Sequence, residues 1–265
     1  MSETRYVTRE LDRLSKILGV GAAELADLAT LPHADLRAFR VQLVAHLRAA
    51  EQHRFQRLAK LASKLPAKLV AQLTERLVPP SLAARVVEAV DPAFAVAMAD
   101  KLPVGYISAI ARNSDPSALG PILRAMPARV VKDVTLDLLG RDALATAGEF
   151  APHLPPQAVT QLADALDGAA LLRLALEIDP PKATSTLIAR LNDPVLDKVT
   201  RSVASGGQWE AVSDLSAQID DTQLRRMAAR VAAAPAPVRD AYAAAVADGR
   251  LTGPLAAIVG LPAAG

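Results

Sequence analysis

Seven basic side chains, Arg37, Arg40, Arg48, Arg54, Arg57, Lys60 and Lys64, crowd one stretch of the chain, where only Asp35 and Glu51 oppose them. Guanidinium and ammonium groups gathered in this way bind phosphates, anionic lipid head groups or acidic protein surfaces. At spacings of three and four, Arg57, Lys60 and Lys64 fall on one face of a helix. The solvated side of an ordinary amphipathic helix has the same composition, so the cluster marks a partner-facing surface without choosing the partner. His33, His46 and His53 lie in or beside the same stretch. His46 and His53 are seven residues apart, about 10 Å of helical rise, whereas metal-binding pairs on a helix use spacings of three or four. No metal and no cofactor is expected.

Other chemistries lack their residues. The chain has no cysteine, which removes disulfides, thiolate metal sites and a cysteine nucleophile, and suits a reducing cytoplasm. Gly19, Val20 and Gly21 precede a helical pattern, but no strand comes before them and no third glycine follows, so a dinucleotide fingerprint is not met. Ser205, Gly206 and Gly207 lack the lysine of a phosphate loop, and no serine sits in a nucleophile elbow. The chain reads as non-enzymatic.

The elements that must position the basic cluster are helices. Apolar residues make up 51% of the 265 residues and aromatics 3%, so the core is built from Ala, Leu, Val and Ile in closely approaching helices. Val7, Leu11, Leu14 and Leu18 mark one helix over 4–18, a short one follows over 22–29, and Pro32 introduces the longest, reaching residue 63 with the stripe Leu36, Phe39, Leu43 and Leu47. From Pro66 the chain settles into a beat: Pro92 and Pro116 are 24 residues apart, as are Pro103 and Pro127, so two helices with alternating start signals form one unit. Helices are expected over 66–77, 80–90, 92–101, 103–112, 116–125 and 127–139. After a looser stretch over 140–153 they resume over 157–166, 168–178, 181–191, 194–204, 209–219, 222–233 and 237–247. Proline at or near the first helical position suits its fixed φ and missing N–H, and Asp91, Asp115, Asp179 and Asp193 are placed to cap. No segment alternates with period two. The fold expected is all-α, a right-handed α-helical solenoid of short paired helices with an N-terminal helical cap. Its parts are a cap over 1–65, a repeat array over 66–234, and a C-terminal helix with a loosely held Ala/Pro-rich tail over 235–265.

The units "DPAFAVAMADKLPVGYISAIARNSDP" and "HLPPQAVTQLADALDGAALLRLALEIDP" resemble the helical repeats of the cytosolic N-terminal domain of MgtE magnesium transporters and those of the flagellar motor switch protein FliG. The resemblance covers roughly residues 66–234 and implies a right-handed superhelix with interaction or regulatory roles. The transporter's membrane helices and CBS modules have no counterpart, so it implies no ion transport and no functional residue. Residues 14–28 also resemble the first two helices of a phage-repressor-type helix-turn-helix. Positions 22–29, however, offer no Arg, Lys, Asn or Gln to read base edges.

The leading functional reading is a cytoplasmic helical-repeat scaffold that binds a protein partner, with homo-oligomer contacts through the long N-terminal helix as a further possibility. An alternative is a binder of an apolar ligand or anionic lipid, and a second a DNA-binding regulator using the N-terminal hairpin. The basic excess is local, 12 Lys/Arg against 7 Asp/Glu over residues 1–68 in a chain of net charge +2, which argues against nucleic acid. No uncharged apolar stretch reaches the ~20 residues that span a bilayer, and the charged segment 1–16 has no signal-peptide core. Trp209 and Tyr106 are singular aromatics, fit either to anchor a partner or to plug an Ala-rich core.

Overall fold

A computed structural model of the chain describes residues 2–178 and 181–260. Among these residues are 19 helices and no strand, and none of the helices is long and apolar enough to cross a membrane. The chain divides into two compact units, Met1–Leu61 and Ala62–Gly265.

The first unit holds α1 (Ser2–Leu18), a 3₁₀-helix (Ala22–Thr30) and most of α2 (His33–Ala62). Val7, Leu11 and Leu14 of α1 bury against Leu36, with Leu25, Leu28 and Leu43 packed around them. This core takes in only the start of α2, so two residues assigned by periodicity to apolar stripes stay exposed, Leu18 at 41% and Phe39 at 47%. Within it Glu10, only 4% exposed, accepts from Arg13 at 2.6 Å and from Arg40 Nε at 2.7 Å.

The second unit runs α3 (Ala67–Leu77), α4 (Pro80–Val87), α5 (Pro92–Ala99), α6 (Val104–Ala111), α7 (Pro116–Ala125), α8 (Ala128–Gly140) and α9 (Leu144–Phe150), then a 3₁₀ turn (Ala151–His153). It continues through α10 (Pro156–Ala165), α11 (Gly168–Leu176), α12 (Pro181–Ala189), α13 (Asp193–Gly206), α14 (Trp209–Ser216), α15 (Asp221–Ala233), α16 (Ala236–Ala247) and α17 (Gly253–Val259). The two kinds of start signal work differently. At Asp91-Pro92 and Asp115-Pro116 the proline is the first helical residue and the aspartate caps, accepting from Ala93 N and Ser117 N at 2.9 Å. At Pro66, Pro103 and Pro127 the proline is itself the N-cap, with extended ψ and no capping side chain. Asn192, not Asp193, caps α13 by accepting from Val195 N at 3.0 Å. Asp193 instead pairs with Arg226 at 2.8 Å and Arg230 at 3.1 Å. Asp179 lies outside the described residues.

Packing follows one rule over most of the unit: α3 lies on α5, α4 on α6, α5 on α7, α6 on α8, α8 on α10, α9 on α11, α11 on α13 and α13 on α15. In each of these pairs a helix meets the next but one. Small residues allow the approach: a Cβ at Gly168 in α11 would stand 2.6 Å from the Lys198 carbonyl oxygen of α13, and one at Gly148 in α9 would run into the Glu177 backbone.

Side chains then reach one helix further. Helix ends leave unpaired backbone groups, and here they are met from three helices away. Tyr106 of α6 donates to the Thr74 and Val78 carbonyls ending α3, at 3.1 and 2.6 Å. Lys198 of α13 donates to the Ala163, Asp164 and Leu166 carbonyls ending α10, at 2.9, 3.2 and 2.8 Å. Arg226 of α15 donates to Ile188 and Leu191 at the end of α12, at 3.3 and 2.7 Å. At helix starts, Glu88 accepts from Asp115 N, Ser185 from Asp220 N and Ser213 from Thr252 N, at 3.0, 2.8 and 3.0 Å.

The core thickens toward the C-terminus. Trp209 is 5% exposed and meets Tyr242 edge to face at 5.0 Å, so it plugs the Ala-rich core, and burial pushes the Tyr242 phenol above its ordinary range. Residues 251–259 are not loosely held: α17 packs on α14 and α15, and Leu251 and Leu255 are 2% and 0% exposed; the rest of the expected tail, 261–265, lies outside the described residues.

Candidate functional site

The basic cluster is less uniform than its spacing suggests. Arg37 is half-buried on α2, and Arg40 is held inside the first unit by Glu10, its side chain 19% exposed. Arg54, Arg57 and Lys60 are exposed, and the side chains of Arg48 and His53 lie outside the described residues. Helix α2 ends at Ala62, so the exposed Lys64 sits in the following turn rather than on a shared helical face with Arg57 and Lys60, and it belongs to the second unit. His33 meets the Tyr6 ring at 5.4 Å. The segment after the Gly19 turn is a 3₁₀-helix, closed by Glu24 accepting from Gly21 N at 2.9 Å, and so lacks the α-helix a helix-turn-helix would need there.

A sharper feature begins the second unit. Helix α3 turns its small side, Val70 and Ala71, inward and leaves Leu69, Leu73 and Leu77 exposed at 44, 44 and 74%. The three leucines recur every fourth residue, one above another. Leu65 and Leu82, before and after the helix, are also exposed. Lys64, Lys68 and Arg76 are also exposed over 64–77, with Glu75 the acidic exception. The Tyr106 hydroxyl fixes the end of α3, and burial, followed by the Glu75 charge, raises the phenol's pKa, keeping it protonated as a donor. The exposed side of α3 is therefore apolar.

A second feature lies inside the same unit. A cavity of about 90 Å³ is walled by Leu162 of α10, Leu172 and Ala175 of α11, Leu187 and Ile188 of α12, Leu196 of α13, Leu215 of α14 and Met227 of α15. It sits where the packing rule changes, since α12 lies against α15 and the 3₁₀ turn. Thr184 of α12 is the polar residue in its wall, fully buried, with no partner for its hydroxyl. Two other buried helical hydroxyls in this unit bond back one turn, Thr135 to the Val131 carbonyl at 2.8 Å and Ser108 to that of Val104 at 3.0 Å. Leaving a buried hydroxyl unpaired costs about 1–3 kcal/mol.

Sequence reasoning passed over both features. Leu69, Leu73 and Leu77 carry a visible spacing, but the same spacing is the ordinary mark of a core stripe. Thr184 gives no signal at all, because threonine inside a helix is common. No protein-family model, no curated protein and no solved structure matches this chain.

Proposed function

We propose that the protein is a cytoplasmic, non-enzymatic helical-repeat module whose second unit is a right-handed solenoid, and that it works by docking an amphipathic helix of a protein partner on α3. One observation carries the reading: the leucine face of α3 begins an array in which each later helix from α5 to α8 is covered by the helix two before it. A partner helix with an apolar stripe packs on this face as those helices pack on one another. Lys64, Lys68 and Arg76 favour acidic residues along its edges. The resemblance of the repeat units to MgtE N-terminal domains and FliG supports a role in interaction or regulation. No observation favours the DNA reading over this one.

The test compares the wild-type chain with L73D/L77D, two substitutions on exposed positions that leave the fold's core untouched. A stoichiometric protein that co-purifies with wild type and is lost from the variant, while both melt alike, supports the reading. Equal recovery from both, or none from either, refutes it.

A further inference from the structure

We infer that the end of α2 is a docking surface for an anionic phospholipid bilayer. This goes beyond partner docking on α3 and stands on different residues, all in the first unit. Every exposed residue over 54–61 is Arg, Lys or Leu: Arg54, Arg57, Leu58, Lys60 and Leu61. At 3.6 residues per turn these five share one arc of about 160°, with Lys60 and Arg57 along one side, Leu61 and Leu58 along the other, and Arg54 between the leucines. Phe55, Gln56 and Ala59, on the remainder of the helix, are half-buried or buried. Leu58 and Leu61 are 46 and 61% exposed. The core of the first unit takes in α2 only as far as Leu43, about 22 Å of helix before Leu58.

Charge and layering select the occupant. Between Glu51 and Glu75 the chain carries Arg54, Arg57, Lys60, Lys64 and Lys68 and no acid. A second copy of this surface would set like charges against one another, whereas anionic head groups attract each cation. A protein contact surrounds its apolar centre with a polar rim. Here the leucines lie beside the cations instead, which matches a bilayer with phosphates above and acyl chains below. The leucines enter the boundary between the two, and the long stems of Arg and Lys let their charges stay at the phosphates. No helix of the described residues is long and apolar enough to cross the membrane, so the contact is with its surface.

The full chain is titrated with vesicles of phosphatidylcholine alone and of equal parts phosphatidylcholine and phosphatidylglycerol, and the bound fraction is read by co-sedimentation. Saturable binding to the anionic vesicles is expected, at least about tenfold tighter than to the neutral ones. R54Q/R57Q/K60Q is expected to weaken it about 100-fold, roughly fivefold per cation, and L58S/L61S at least about tenfold. Two controls locate the surface, with thermal melts confirming that every variant folds. R173Q/R190Q/R225Q removes the same charge from exposed positions of the second unit, and L73S/L77S removes leucines of α3; each is expected to bind within about fivefold of wild type. The proposal is overturned by absence of saturable binding to anionic vesicles, by wild-type binding of L58S/L61S, or by a control that loses as much as R54Q/R57Q/K60Q. An acidic protein captured through the same cations, with no vesicle binding, overturns it as well.

Discussion

Replacing Gly168 by alanine would place a methyl group 2.6 Å from the Lys198 carbonyl oxygen and 2.5 Å from Ser202 Cβ, both on α13. Neither obstacle is the loose end of a side chain. The carbonyl belongs to a helix whose next side chain contact, Lys198 Nζ, is engaged with three carbonyls at the end of α10, so a shift of α13 disturbs a second junction. Overpacking of this kind costs about 1–3 kcal/mol, and alanine recovers about 0.5–1 kcal/mol over glycine within a helix. The difference is a net loss of up to about 2.5 kcal/mol, centred on about 1 kcal/mol, and for a domain of this size about 1 kcal/mol lowers Tm by about 2–4 °C. Gly140, at the end of α8, is the control, because a Cβ there meets nothing within 4 Å. G140A is expected to hold or raise Tm by up to about 4 °C. The assay is thermal unfolding followed by far-UV circular dichroism. A G168A melting temperature equal to that of G140A would refute the close approach of α11 and α13.

Three further outcomes follow from the same geometry. K198M keeps the aliphatic stem and removes the donors that close α10, so it should cost about 1–2 kcal/mol in denaturant unfolding. Burial lowers the pKa of His153, opposed by the Asp115 charge and aided by that of Arg124. The folded state therefore binds fewer protons than the unfolded one as pH falls below the ordinary value of 6.5; stability should decline through that region, and H153Q should flatten the decline in pH-dependent melts. T184V, by removing an unpaired buried hydroxyl without changing shape, should raise the Tm of the ligand-free chain by about 2–6 °C.

Local rules made much of this fold readable. Proline fixes φ and lacks a donor, so Pro66, Pro80, Pro92, Pro103, Pro116 and Pro127 each announced a helix start, and Asp91, Asp115 and Asp220 capped as their type suggests. The choice between Asn192 and Asp193 could not be made locally, because Asp193 was drawn away by Arg226 and Arg230, more than thirty residues distant. Helix α9 was missed because it opens after Asp142 at φ 57°, a left-handed residue no start signal announces. The burial of Leu251 and Leu255 depends on α17 finding α14 and α15, which no window of sequence contains. The same holds for Tyr106, Lys198 and Arg226: each reaches a helix end about thirty residues back, a pairing set by tertiary packing alone. In the basic cluster, the charges were legible but their engagement was not. Arg40 spends its charge on Glu10, a pairing set by how α1 meets α2.

The most direct measurement is site-specific photo-crosslinking in cells with a photoreactive residue in place of Leu73. The account predicts one dominant intermolecular adduct, mapped to a partner segment with an apolar stripe and acidic edges, and absent when the photoreactive residue is moved to the exposed Asp164 at the end of α10. A crosslink confined to the chain's own residues 1–61, or none above the level at Asp164, would contradict it.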